Sequence, residues 1–251
     1  GNIAAEAVAR SAPDGYTILL LSSGVVANQS LYAKLPFDLA RDFAPIAGLG
    51  TIPLLLVAHP STAIKSVGDL IAQAKAKPGA LNYGSAGSGG GAHLAAESFR
   101  HAAGIEITHV PYKGTGPAVA DLVGGQVNLM FASVPSVLQH VRAGKLNALG
   151  VTSARRAPAL PAIPTIAESG VPGYAIVSWF GVIGPAGLAD DVAARLNAEF
   201  SRAARAPEFI ERLNAEAGEP LVMPFAQFGE FMRAEIARWA RVVREAGAKL
   251  E

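Results

Sequence analysis

The sequence predicts an α/β fold. Short apolar runs of strand length alternate with amphipathic segments of ~10 to 15 residues, which is typical of helices packed on a sheet. The 27 Gly and 17 Pro among 251 residues indicate many tight turns between these elements. With 51% hydrophobic and 16% charged residues, the composition is that of a chain that buries a core and excludes disorder.

The first part of the chain alternates as expected for such a fold. A helix is predicted over 3–11, and the turn Pro13-Asp14-Gly15 leads to a buried strand over 16–21, which Ser22-Ser23-Gly24 ends. Helical turns over 28–35 and a second buried strand over 50–58 follow. Ser66 is a good N-cap residue and Pro78-Gly79 ends a helix, so 67–77 is predicted to be helical.

The middle and last parts continue the pattern. Strands are predicted over 81–83, 105–110, 127–131, 146–152 and 175–183, with helices over 92–103, from Thr115 or Gly116 to Gly124-Gly125, and over 135–143. Residues 154–172 show no clear period, and the chain after Gly187 is helical apart from the neighbourhood of 219–222. This alternation predicts parallel sheets with right-handed crossovers.

Two lobes are predicted from the long apolar strands over 50–58 and 175–183, which bracket a self-contained strand-helix series. Residues 1–58 and 177–251 would form an outer lobe, and 59–176 an inserted lobe. Lobes joined by such hinge strands commonly close on a ligand.

Several functional classes are excluded by composition. A net charge of +1 lacks the positive field that nucleic acid requires, and the apolar runs are too short for membrane helices. There is no Cys, and the five His are scattered, so we expect neither a thiolate nucleophile nor a metal site. His93 is expected to lie near a helix cap. Trp179 and the stripe Phe228, Met232, Ile236, Trp239 and Val243 are expected in the core.

The sharpest local feature is the glycine-rich loop, residues 84–91, between a strand and a helix. Free backbone N–H groups at a helix N-terminus favour an anion, so we expect ligand contacts at Ser85, Ala86, Gly87, Ser88 and Gly89. No Lys follows these glycines as a phosphate-binding P-loop requires, and no Gly-x-Ser-x-Gly hydrolase motif is present. A nucleotide-binding enzyme using this loop stays an alternative.

Other small polar residues follow further strands. Thr115 opens the next helix and Ser133 ends the third strand, so both are expected beside the glycine-rich loop, because ligands bind at strand carboxyl ends in open α/β sheets. Ser22, Ser23, Asn28 and Ser178 are candidates for the opposing wall of the cleft. No catalytic residue is predicted.

Nine short segments, in this order and spacing, resemble the tripartite tricarboxylate transporter substrate-binding proteins, also called Bug receptors. They are APDGYT (12–17), SLY (30–32), LPFD (35–38), DFAPI (42–46), YGSAG (83–87), HLAAE (93–97), HVPYKG (109–114), PTIAE (164–168) and WFG (179–181).

The resemblance implies a type II periplasmic-binding-protein fold and a non-enzymatic receptor without cofactor that captures a small carboxylate in the periplasm. It implies delivery to the permease subunits of the transporter, with one carboxylate held by the backbone of residues 84–91 and by Thr115. Family members have a further strand-helix-strand unit before the segment equivalent to Gly1-Asn2. We therefore expect either a truncated outer lobe or one completed by self-association. The effector-sensing domain of a transcription regulator, which shares this fold, is a second alternative.

Overall fold

The computed structural model describes residues 1–32 and 34–245. Position 33, inside the segment predicted as helical over 28–35, and positions 246–251, at the end of the predicted outer lobe, lie outside the described residues. By its internal contacts the chain forms two units. Unit 1 contains Gly1–Ile52, Ser178–Leu213 and the described residues from Gly218 on, and unit 2 contains Pro53–Val177 and Asn214–Ala217. The lobe boundaries proposed from the sequence stay a prediction.

Helices and strands alternate along most of the chain. The helices are α1 (Asn2–Ala9), α2 (Ser23–Leu31), α3 (Val67–Ala76), α4 (Gly91–Ala103), α5 (Thr115–Val123), α6 (Val134–Arg142), α7 (Asp190–Ala203), α8 (Pro207–Ala215) and α9 (Phe225–Glu245). The strands are β1 (Leu19–Ser22), β2 (Phe43–Ala58), β3 (Asn82–Ser85), β4 (Thr108–Pro111), β5 (Leu129–Ser133), β6 (Asn147–Val151), β7 (Val177–Pro185) and β8 (Glu219–Pro220). The predicted α/β class is confirmed.

Unit 2 contains a sheet in the order β6-β2-β5-β3-β4. Strands β4 and β5 both run parallel to β3, whereas β2 pairs antiparallel with β5 and β6. The prediction of parallel sheets is therefore correct for β3, β4 and β5 and wrong for β2, and it is also wrong for β1 and β7, which pair antiparallel. Apolar patterning reports the burial of a strand and not its direction. Leu55, Leu122 and Met130 lie in the core of this unit, and Phe99 of α4 packs on Phe131 of β5.

Unit 1 contains a sheet in the order β1-β7-β2-β8, in which β1 pairs antiparallel with β7. Helix α2 packs on α9, and Trp179 of β7 makes edge-to-face contacts with Phe228 and Phe231 of α9. The predicted core roles of Trp179 and of the α9 stripe are confirmed, with Ile236 half-buried.

Two element starts differ from prediction by five residues or more. Helix α2 begins at Ser23, directly after β1, so the Ser-Ser-Gly segment opens a helix instead of a loop. Strand β2 begins at Phe43 instead of residue 50. Pro45 and Gly48 argue locally against a strand, but pairing with neighbouring strands outweighs this local preference.

Candidate functional site

The parallel strands of unit 2 end at one edge of its sheet, and each continues into a helix. Strand β3 ends at Ser85 opposite Pro111, the last residue of β4, and β5 ends at Ser133. Helices α4, α5 and α6 begin at this edge, because parallel strands have their carboxyl ends on the same side. The structure thus brings together residues 85–89, Thr115 and Ser133.

The loops after β3 and β4 run side by side. The Tyr112 N–H donates to the Ser85 carbonyl (2.9 Å), and the Gly114 N–H donates to the Ala86 carbonyl (3.2 Å). Gly114 has φ 119° and ψ 170°, a conformation that residues with a side chain rarely adopt. The predicted proximity of the two helix starts is therefore confirmed.

Helices α4, α5 and α6 begin without internal caps. The described N-cap residues Gly90, Gly114 and Ser133 make no side-chain cap hydrogen bond, and the first turns of these helices contain no acidic residue. In α3, by contrast, Ser66 Oγ accepts the Asp69 N–H (3.1 Å), and Asp69 itself lies in the first turn. Pro117 and Pro135 have no N–H, but the other N–H groups in the first turns of α4, α5 and α6 have no intrahelical acceptor, so they can donate to an anion.

Ser85 and Ser88 have different environments within the glycine-rich loop. The buried Ser85 hydroxyl donates to the Gly87 carbonyl (3.0 Å) and lies 2.6 Å from His109 Nε2. Ser88 and Thr115 are exposed, as is Ala86. The buried Ser85 therefore stabilises the conformation of the loop, while the exposed hydroxyls of Ser88 and Thr115 are free to contact a ligand.

A stack of three rings lies under this loop. Tyr83 stacks on His109 with ring centroids 4.9 Å apart, and His109 stacks on His93 at 4.2 Å. His93 Nδ1 accepts the Gly89 N–H (3.1 Å), which confirms a half-buried histidine near the helix cap. Burial lowers the pKa of His93, and burial together with His93 lowers the pKa of His109 to about 4.

This stack was not predicted from the sequence. His93 and His109 lie on α4 and β4, 16 positions apart, so no local spacing links them. The sequence places His93 in a predicted helix, 92–103, and His109 in the predicted strand that follows it, 105–110, and no other signal links them.

The charged side chains next to the Tyr83 end of the stack form ion pairs with one another. Tyr83 Oη donates to Glu97 Oε1 (2.7 Å), and Arg100 bonds to both Glu97 and Glu106 (each 3.0 Å). Since Glu97 is buried, these bonds satisfy a carboxylate that would otherwise be costly.

The candidates in unit 1 divide into two groups. Ser22, Ser23 and Ser178 lie near the same end of the β1–β7 pair, since Ser22 is opposite Phe180 and Ser23 Oγ accepts the Trp179 N–H (3.3 Å). Asn28 instead donates from Nδ2 to Asn2 Oδ1 (2.9 Å). Ser23 is buried, whereas Ser22 and Ser178 are partly exposed.

Residues 1–248 match the family model described as the tripartite tricarboxylate transporter family receptor. The chain belongs to this receptor family. Among curated members, protein BugT of Bordetella pertussis is 40% identical over 253 residues, which cover 100% of this chain and 78% of BugT. The resemblance to Bug receptors is therefore confirmed.

Solved structures of receptor relatives confirm the fold class. An R. palustris protein, Rpa4515 with adipate, has a TM-score of 0.83 and 38% identity, covering 100% of this receptor and 84% of that chain. MatC from Rhodopseudomonas palustris, with bound malate, has a TM-score of 0.76 and 31% identity over 96% of this receptor and 84% of that chain. In the described part of this receptor, no helix has the length and apolar character needed to cross a membrane.

Proposed function

We propose that this chain is a solute-binding receptor for a small carboxylate, which it holds at the carboxyl edge of β3, β4 and β5. The observation that carries the proposal is the convergence of helices α4, α5 and α6, none with a side-chain cap or a first-turn acid. Each helix terminus has a partial positive charge as well as free N–H donors.

This arrangement suits a carboxylate without a basic cluster. Hydrogen bonds to a charged group each contribute about 1.5–3 kcal/mol, so a few aligned donors account for useful affinity. Positive φ at Gly87 (142°) and Gly89 (77°) lets the loop backbone turn its donors without side chains in the way. We propose that Ser88 and Thr115 add their hydroxyls at the same place.

The family relationship supports the same ligand class, since relatives are described with adipate and with malate. We infer from family membership that the receptor is not an enzyme, works in the periplasm, and passes its ligand to the membrane permease subunits of a tripartite tricarboxylate-type transporter.

Within unit 1, we propose Ser22 and Ser178 as further ligand contacts. Both are partly exposed. The hydroxyl of Ser23 is already bonded to the Trp179 N–H, and the amide of Asn28 to Asn2. We therefore assign Ser23 and Asn28 supporting roles.

Thermal shift and calorimetry with adipate and malate test this function. At a ligand concentration 100 times Kd, binding stabilises by about 2.7 kcal/mol, and a chain of this size gains about 2–4 °C per kcal/mol. We expect Tm to rise by roughly 5–11 °C with a carboxylate that fits. 1,6-Hexanediol has the length of adipate without its charge and should produce no shift. Equal shifts with the diol, or none across a panel of di- and tricarboxylates, would refute the proposal.

A further inference from the structure

We propose that His93 and His109 act as one positioning unit, which fixes both ends of the glycine-rich loop through neutral, stacked rings and thereby sets its affinity for a carboxylate. This inference rests on the proposed function. The observation behind it is that each ring bonds to a different end of the loop while the two rings stack on each other.

His109 holds the start of the loop. Its Nε2 lies 2.6 Å from Ser85 Oγ, and the same hydroxyl accepts the Gly87 N–H (3.2 Å) and donates to the Gly87 carbonyl (3.0 Å). One serine thus connects the His109 ring to the backbone two residues further along. A shift of this ring would move Gly87, one of the two loop residues with a positive φ.

His93 holds the end of the loop. A backbone N–H can only donate, so the bond from Gly89 N to His93 Nδ1 (3.1 Å) requires an unprotonated Nδ1. The neutral ring therefore has its proton on Nε2. A proton added at Nδ1 would remove the acceptor for Gly89 and release this end of the loop.

The surroundings keep both rings neutral. Their centroids are 4.2 Å apart and their planes 24° from parallel, so two positive charges there would repel strongly. The neighbouring titratable and charged groups are Tyr83 on β3, Glu97 and Arg100 on α4, and Glu106 just before β4. Glu97 is the one that favours protonation of both rings, but it already accepts from Tyr83 and Arg100.

Two substitutions at His93 separate the hydrogen bond from the stacking. His93→Asn places an amide oxygen near the position of Nδ1, so it keeps an acceptor for Gly89 without a titrating ring. His93→Phe keeps a stacking ring and has no acceptor. The matched control is His101→Asn, at an exposed histidine of the same helix. The net worth of one hydrogen bond corresponds to about a 3- to 10-fold change in affinity.

Adipate affinity at pH 7.5 is the first readout. We expect His93→Phe to bind about 3- to 10-fold more weakly than the parent, and His93→Asn and His101→Asn to stay within about 2-fold. His109→Phe should weaken binding as well. The double variant His93→Phe/His109→Phe should lose about as much affinity for adipate as the single variant that binds adipate more weakly, because the effects of coupled residues do not add. Multiplied losses, or equal binding by His93→Asn and His93→Phe, would overturn the proposal.

The second readout needs no ligand, and so separates this inference from the proposed function. The amide signals of ¹⁵N-glycine-labelled protein are followed from pH 7.5 to 4.5. The Gly89 signal should move as His93 gains its proton in the parent and in His101→Asn, and stay constant in His93→Asn. A Gly89 signal that shifts identically in His93→Asn would overturn the inference, even if adipate binds. Failure of every carboxylate to bind, with the expected Gly89 behaviour, would refute only the link to ligand affinity.

Discussion

Replacement of Gly114 by Ala isolates the conformational demand of the β4–α5 loop. A Cβ built on Gly114 meets no heavy atom within 4 Å, so Gly114→Ala causes no steric clash. The whole penalty comes from φ 119° and ψ 170°, a region essentially restricted to glycine, where a strained residue costs about 1–3 kcal/mol. The N–H bond to the Ala86 carbonyl is available to alanine as well.

Gly116 provides the matched control two residues later. A Cβ there also meets nothing within 4 Å, but Gly116 lies inside α5 and does not have a left-handed φ. Gly116→Ala should therefore be neutral or stabilise by up to about 1 kcal/mol, since alanine favours helix.

Thermal unfolding followed by circular dichroism gives the comparison. At about 2–4 °C per kcal/mol, Gly114→Ala should lower Tm by roughly 2–12 °C, while Gly116→Ala leaves it unchanged or raises it. The affinity for adipate, measured on the same samples, should fall for Gly114→Ala. Relief of the strain moves the β4–α5 loop, which is hydrogen-bonded to the glycine-rich loop. A Gly114→Ala protein as stable as Gly116→Ala would show that the backbone there is not constrained as described.

Three further outcomes are expected. Tyr83→Phe leaves the buried Glu97 without one of its donors and should cost about 1–3 kcal/mol in urea unfolding, so a neutral effect would contradict the role of that bond. Glu235→Ala leaves two buried tryptophan indoles without their acceptor and should cost about 2–5 kcal/mol, against less than about 0.5 for the exposed Glu230→Ala on the same helix. The pKa of His109, lowered to about 4 in the folded chain, makes stability complete above pH ~6.5 and decreasing as pH falls from there towards 4, because the unfolded chain binds more protons in this range. The urea midpoint should depend less on pH in His109→Gln, and an unchanged pH dependence would count against this assignment.

Much of the fold could be predicted because local chemistry marks element ends. Helix α3 is within one residue of its predicted bounds, since Ser66 caps its start and Pro78-Gly79 follows its end. The start of β2 could not be predicted, because its first seven residues include Pro45 and Gly48 and become a strand only through pairing with their neighbours.

The backbone of the candidate site could be predicted from the sequence, but the side-chain contacts that hold the loop in place could not. Glycines after an apolar strand, followed by a helix, indicate an anion cradle from sequence alone. The roles of Ser85 and His109 depend on contacts between residues 24 positions apart on adjacent strands, and a single sequence does not contain that information.

The open start of helix α4 has a consequence for any attempt to make this receptor more robust. Gly90 has φ −73° and ψ 165°, which every residue type can adopt, and a Cβ there would lie 3.7 Å from the Gly87 carbonyl oxygen. An aspartate at this position would cap the helix and add a few tenths of a kcal/mol of stability, because glycine is itself a tolerated N-cap residue. Its own carboxylate would then occupy the place we assign to the solute. A screen for thermal stability alone would therefore select variants in which a side-chain carboxylate blocks the proposed solute site.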